Sequence, residues 1–417
     1  MPIEFILFGL TLIGVALFHH HAMRVALGGF AAIAAYKIAL SGFKTGPGFA
    51  GFISHLGHEW VILINLLCLL TGFAMLSSHF EKSRVPELLP RYLPDDWKGG
   101  FCLLAVVWVL SSFLDNIAGA LIGGAMAHQL FRGKVHIGFI AAIVAASNAG
   151  GAWSVLGDTT TTMMWIAGIS PGRVFEAIIG AVVALFIFGI PAAIQQHRHS
   201  PILRTAHEHV PVDWARVGIV AFILFLALAT NLTVNMKFTA IADHFPFIGA
   251  AVWVAILVSL VVRRADWELL PENLKGSIFL LALVLCASMM PVERLPLASW
   301  QTALGLGFLS AVFDNIPLTA LALKQGGYDW GFLAYSVGFG GSMIWFGSSS
   351  GVALSNMYPE AKSVGKWLRH GWYIPIAYVA GFFVMLVFWQ WHPDKPHQDP
   401  ETVPITQSAH ALDPSVP

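Results

Sequence analysis

Charged side chains are scarce in this chain. Asp, Glu, Lys and Arg make up 11% of its 417 residues, where a soluble domain carries about 25%. The 23 basic and 23 acidic residues cancel, so no excess charge points to nucleic acid or to an acidic partner. Cysteine is also rare. Cys68, Cys102 and Cys286 each lie inside an apolar run, and no CxxC pair or zinc-ligand spacing occurs. They read as small core residues. No phosphate-binding loop or nucleophile elbow is visible, which argues against an enzyme and against a resident cofactor.

What the chain does have is apolar length. Hydrophobic residues reach 57% and mean hydropathy is +0.71. Several apolar runs approach or exceed the roughly 20 residues needed to cross a bilayer. They fall at 3–18, 25–40, 59–78, 100–130, 136–170, 173–195, 215–236, 245–262, 276–290, 298–323, 328–358 and 371–391. The expected fold is an all-α polytopic membrane protein, with lipid as its surroundings. The first run lacks a small-residue cleavage site and reads as a helix rather than a removed signal peptide. Polar linkers are expected at 79–98, 196–213 and 263–275, and a disordered tail at 392–417.

Lys and Arg concentrate on the cytoplasmic side of membrane proteins. Lys82, Arg84, Arg91 and Lys98 mark one inside linker, Arg198 and Arg204 a second, and Arg263, Arg264 and Lys275 a third. Lys362, Lys366 and Arg369 mark a fourth, and Arg132 with Lys134 also favours the inside. Segment 100–130 must then begin and end on one side, so it reads as a re-entrant hairpin with its tip at 114–117. Segment 298–323 reads the same way from the opposite side, with its tip at 313–319. About ten transmembrane helices plus two hairpins result. The expected division is a first inverted repeat over 1–195, a cytoplasmic linker at 196–213 and a second repeat over 214–391.

Local sequence supports a duplication. "SSFLDNIAGALIGG" (111–124) parallels "SAVFDNIPLTALAL" (310–323), and "GGAWSVLGDTTT" (150–161) parallels "GGSMIWFGSSSG" (340–351). Gly150, Gly151 and Gly157 match Gly340, Gly341 and Gly347. Backbone groups cannot stay unpaired in lipid. The glycine-rich stretches inside 136–170 and 328–358 therefore read as two discontinuous helices around a protein-lined site, with glycine permitting the turns.

Asp115, Asp158 and Asp314 are the main acidic residues at membrane depth. A charge there costs roughly 2.5–3.5 kcal/mol on insertion scales, which selects for use. No Lys or Arg lies mid-segment beside them, so they attract protons and metal cations, and they are the candidate ligands of a transported Na⁺. Asn116, Asn148, Asn315, Thr159, Thr160, Thr161, Thr162, Thr319, Ser348, Ser349 and Ser350 offer neutral oxygens, with Gly157 at the break. Oxygen donors suit hard cations. Each aspartate can also act as a helix N-cap, and each threonine can bond back to its own helix. His19, His20 and His21 read as interfacial residues, and Trp60, Trp97 and Trp372 as interface anchors.

At "FLDNIAGAL", "SNAGGAWSVLGDTTTTMMW", "SAVFDNIPLTALAL" and "GGSMIWFGSSSGVA" the chain resembles the ion transporter superfamily. It is most similar to the NhaD-type sodium/proton antiporters and to citrate-transporter-like proteins. The resemblance implies a scaffold part and a transport part, a homodimer, an alternating-access cycle and a place in a bacterial inner membrane. The implied function is secondary active exchange of Na⁺ or Li⁺ for H⁺, without a cofactor. Carboxylate-importing relatives carry Ser-Asn-Thr at each hairpin tip, whereas Asp115-Asn116-Ile117 and Asp314-Asn315-Ile316 stand here. Citrate or dicarboxylate transport and arsenite-type metalloid export stay as alternatives. Ala118 and Gly119 stand where the antiporters more usually carry a threonine.

Overall fold

A computed structural model describes residues 2–18, 21–88, 93–202, 211–238, 241 and 244–393. His19, His20, Arg91, Arg204 and nearly all of the 392–417 tail lie outside the described residues. Every regular element among the described residues is helical, and one antiparallel bridge joins Phe43 to Gly46.

The first half holds α1 (Ile3–Leu17), α2 (Ala22–Tyr36, continued by a π-helical turn Lys37–Ser41) and α3 (Gly48–Lys82). Then come the short α4 (Val85–Leu88), α5 (Trp97–Ser111), α6 (Asn116–Leu130), α7 (Ile137–Gly151), α8 (Thr159–Ile166), α9 (Pro171–Phe175) and α10 (Ile178–His199). The second half holds α11 (Trp214–Lys237), α12 (Phe247–Ser259), α13 (Leu270–Ser288), α14 (Trp300–Ser310), α15 (Asn315–Gln325) and α16 (Trp330–Gly340). It ends with α17 (Ser349–Met357), α18 (Val364–His370) and α19 (Tyr373–Trp389).

Among the described residues, five helical stretches are long and apolar enough to cross a membrane: Ala22–Ser41, Gly48–Lys82, Pro171–His199, Trp214–Val234 and Trp267–Ser288. The pair α18–α19, bent by 61°, adds a sixth. Shorter apolar helices include α5, α7 and α12. Their outer faces are greasy. Phe225 is 67% exposed and Val387 78%, which suits contact with lipid and not with water. The chain is a multi-pass membrane protein.

Two boundaries differ from the sequence reading. The third span runs for 35 residues, not over 59–78 alone. The expected linker at 263–275 is partly helical. Pro271 and Glu272 sit in the first turn of α13, where a missing amide costs nothing and a negative charge faces the helix dipole.

The helices pack in two groups. One gathers α1, α2, α3, α11, α12 and α13. The other gathers α5, α6, α7, α10, α14, α16, α17 and α19, with α10 lying along α19. Within the second group Tyr335 of α16 stacks on Tyr378 of α19, and its hydroxyl donates to the carbonyls of Ala377 and Tyr378 at 3.1 and 3.0 Å. The halves interlock there. α17, from the second half, lies on α6 of the first, while α8 of the first half lies on α15 of the second.

Candidate functional site

The two hairpin tips have the same construction. After α5 the chain turns through 112–114, and Asp115 caps α6 by accepting from the Ile117 amide at 3.3 Å. After α14 it turns through 311–313, and Asp314 caps α15 by accepting from the Ile316 amide at 3.0 Å. The backbone angles nearly coincide, at −53° and 145° for Asp115 and −53° and 142° for Asp314. Two short helices meeting at an angle leave amides unpaired at the second one's start, and a carboxylate is the strongest side chain to accept them.

The two interruptions also match. Helix α7 stops at Gly151 and α8 resumes at Thr159, with Asp158 as its cap. Helix α16 stops at Gly340, passes through a 3₁₀ turn, and α17 resumes at Ser349 with Ser348 as its cap. Asp158 has backbone angles of −146° and 144°, Ser348 −143° and 153°. The glycines act differently from the sequence expectation. Gly150, Gly151, Gly157, Gly340, Gly341 and Gly347 all avoid the left-handed region. Their missing side chains instead permit close contact. A Cβ on Gly150 would strike the Trp108 carbonyl, and one on Gly340 the Gly307 carbonyl. A Cβ on Gly157 would lie 2.8 Å from the Gly151 Cα, and one on Gly347 2.5 Å from the Ala311 carbonyl oxygen. The breaks are thus pressed against the hairpin arms.

The expected ligands do not all stay free. Asn148 is fully committed. Its carbonyl oxygen accepts from Asn116 at 3.2 Å and Ser350 at 2.7 Å, and its amide nitrogen donates to Ser342 and Ser348, each at 3.0 Å. It ties the first break and first hairpin to the second break. Ser147 joins this knot through Ser111, at 3.1 Å, and through the Asn116 carbonyl. Thr319 is buried, and its hydroxyl donates back to the Asn315 carbonyl at 3.0 Å. Thr161 and Thr162 serve the break itself, donating to the freed carbonyls of Ser154 and Val155 at 2.6 and 2.9 Å.

Asp158 is the deepest of the three aspartates, at 2% exposure. One oxygen accepts from the Thr160 amide at 3.2 Å, and the Asn315 amide nitrogen reaches both oxygens at 3.2 and 3.5 Å. The buried Thr160 hydroxyl beside it makes no well-aligned hydrogen bond. Asp115 and Asp314 are half-buried and lie within electrostatic reach of Asp158. Asp314 also accepts from Ser349 at 3.1 Å. None of the three forms an ion pair among the described residues.

The three aspartates do not close into one cage. Among the described residues no three His, Cys, Asp or Glu side chains gather tightly enough to hold a metal ion. Each aspartate is pinned at the start of a different helix, so the acids form a spread arrangement with Asp158 linked to both others. Ser350 joins the knot as a sequence candidate, whereas Ser342 belongs to it and was missing from the candidates. The only hint for Ser342 was its place in the second glycine-serine string.

A cavity of about 580 Å³ opens onto this site. Asp115, Asp158 and Thr159 line its inner end, while Asp314 does not border it. Its outer end lies at the close of α3 and α6 and the start of α13, where Glu81, Gln129 and Glu272 line it.

No protein-family profile matches the chain. Individual relatives do. Sodium/proton antiporter 1 of Arabidopsis thaliana is 25% identical over 325 residues, covering 69% of this chain and 53% of the relative. The Na⁺/H⁺ antiporter NhaD of Vibrio parahaemolyticus is 27% identical over 313 residues, covering 62% and 72%. That of Halomonas elongata is 24% identical over 394 residues, covering 77% and 74%. The chain spans about half the length of the plant relative and about seven tenths of the bacterial ones. By these similarities it is a relative of the NhaD-type sodium/proton antiporters.

Proposed function

We propose that the chain is a secondary active transporter that exchanges Na⁺ or Li⁺ for H⁺ at the buried carboxylates. The observation that carries this is a buried Asp158 within electrostatic reach of Asp115 and Asp314, none of the three having a basic partner among the described residues. Asp158 comes from a helix break, Asp115 and Asp314 from opposing hairpin tips. A carboxylate that binds a proton loses its pull on a cation, and one that binds a cation repels a proton. Competition for the same oxygens couples the two fluxes. The Thr160 hydroxyl, beside Asp158, is a neutral oxygen placed to join a bound cation.

The matched caps and glycine contacts support two inverted repeats, with 100–130 and 298–323 as re-entrant hairpins and 136–170 and 328–358 as broken helices. About ten transmembrane helices fit this reading. The two packing groups support a scaffold and a moving part, with the crossing of α17 over α6 inside the second group. The family resemblance supports a homodimer in a bacterial inner membrane. Citrate transport is not favoured, because acids at both tips repel a carboxylate substrate and the relatives are named as antiporters.

The test is dissipation of a preformed ΔpH in vesicles on adding Na⁺, Li⁺, K⁺ or citrate. The parent should respond to Na⁺ and Li⁺ only. Asp158→Asn and Asp314→Asn should each abolish that response while the protein still inserts and elutes as a folded species. Undiminished exchange in both variants would remove the carboxylate mechanism.

A further inference from the structure

The cavity is much larger than an inorganic ion needs. A water molecule takes about 30 Å³ in the liquid, so a partly hydrated Na⁺ occupies a small part of 580 Å³. Its walls are also wrong for an ion. Leu69 and Phe73 of α3, Leu121 and Met126 of α6, and Leu280 of α13 line it, and none offers the oxygen donor that a hard cation such as Na⁺ takes. From Asp115 to Gln129 the lining follows α6 through 14 residues, about 21 Å. Cavities of about 300–1,000 Å³ with apolar walls and a few placed polar groups are the usual shape of small-molecule sites.

The charge is confined to the two ends. At the inner end stand Asp115 and Asp158. At the outer end Glu81 and Glu272 are exposed and form no ion pair among the described residues. Two nearby cations are engaged, Lys82 with Asp266 at 2.5 Å and Arg263 with Asp213 at 2.9 Å, while Lys275 stands three residues beyond Glu272 on α13. The mouth carries two carboxylates and the throat is apolar.

We propose that this cavity binds an organic monocation with an apolar body, such as an alkyl- or arylalkylammonium, with its head on Asp115 and Asp158. Glu81 and Glu272 draw the cation to the mouth, and the leucine, methionine and phenylalanine walls take up the tail. Competition with Na⁺ follows if those two carboxylates are also the ion site, and only that part rests on the antiporter reading.

The experiment is calorimetric titration of the purified full chain in lipid nanodiscs at pH 7, with methyl- to hexylammonium and benzylammonium as probes. Hexanol serves as the uncharged control. Each methylene buried on these walls should tighten binding about three- to fourfold. Hexanol should bind at least tenfold more weakly than hexylammonium, Asp158→Asn should lose the same factor, and added Na⁺ should compete. Ala125→Phe, at an exposed position of the cavity wall, should cut off the gain beyond short chains and leave the Na⁺ response intact; Leu121→Trp is the second variant of this kind. Affinity independent of chain length overturns the proposal, as does undiminished hexylammonium affinity in Asp158→Asn, which marks partition into lipid. Amine binding that persists in a chain without Na⁺/H⁺ exchange sinks the antiporter reading and leaves this site standing. Exchange without amine binding does the reverse.

Discussion

The Asn315 amide nitrogen lies 3.2 Å from one carboxylate oxygen of Asp158 and 3.5 Å from the other. The two residues are 157 positions apart, yet this is the contact that joins the first helix break to the second hairpin tip. In the repeat alignment Asn116 and Ser348 are the counterparts of Asn315 and Asp158, and there the link is indirect: Asn116 donates to Asn148 at 3.2 Å, which donates to Ser348 at 3.0 Å. The two breaks thus differ at the cap, acidic in the first and neutral in the second.

Replacing Asn315 by Leu removes the one side-chain amide aimed at Asp158. Hydrogen bonds to a charged group are worth about 1.5–3 kcal/mol, so the apparent KM for Na⁺ should change at least tenfold. Vesicle ΔpH assays over a Na⁺ series read this directly. An unchanged KM would reduce Asn315 to a packing residue.

Gly338 sets the space beside Asp158. A Cβ there would lie 3.3 Å from the Asp158 carboxylate and 3.1 Å from the Ala152 side chain. Overpacking of this kind costs about 1–3 kcal/mol. Gly338→Ala should therefore slow exchange, and the smaller Li⁺ should suffer less than Na⁺. Equal losses for both ions, measured as the ratio of their apparent KM values, would count against a steric role.

Gly157 is a backbone contact. Gly157→Ala would press a methyl to within 2.8 Å of the Gly151 Cα and 3.0 Å of the Ser112 Cα. Backbone cannot swing aside as a side chain can, so the break must open. A lowered melting temperature in detergent is expected, together with loss of exchange. A stable, active variant would mean that the break and the hairpin arm are not held together.

The membrane-surface ends respond to acid through Asp213. The hydrogen bond from Arg263 holds its carboxyl below the usual aspartate range, helped by the Ala215 and Arg216 amides at the start of α11. A lowered folded-state pKa adds stability above the ordinary aspartate value near 4. That stability is lost as pH falls through the lowered one. The parent should lose thermal stability below about pH 4 in a step that Asp213→Asn lacks. Superimposable melting curves for the two proteins across this range would remove Asp213 from the account.

Much of this protein was legible in its sequence because lipid imposes a simple rule. Apolar length and scarce charge determine a multi-pass helical protein, since only a helix satisfies the backbone hydrogen bonds of one long apolar run within that run itself. The Asp-Asn tips and glycine strings marked the site because helix-breakers and acids are costly at that depth. Sequence could not tell how each polar atom is spent. Asn148 was a candidate ligand, but the fold consumes all its hydrogen bonds on Asn116, Ser342, Ser348 and Ser350. The glycines were expected at turns, but their backbone angles are ordinary and their work is close approach. Which acid borders the cavity was equally hidden. Asp115 and Asp314 sit in near-identical local sequence, and only the packing of α3, α6 and α13 leaves one of them open to that cavity. Local pattern decides what each segment can form. Which of two equivalent groups meets water depends on contacts between segments far apart in the chain, and those exist only once the helices have packed.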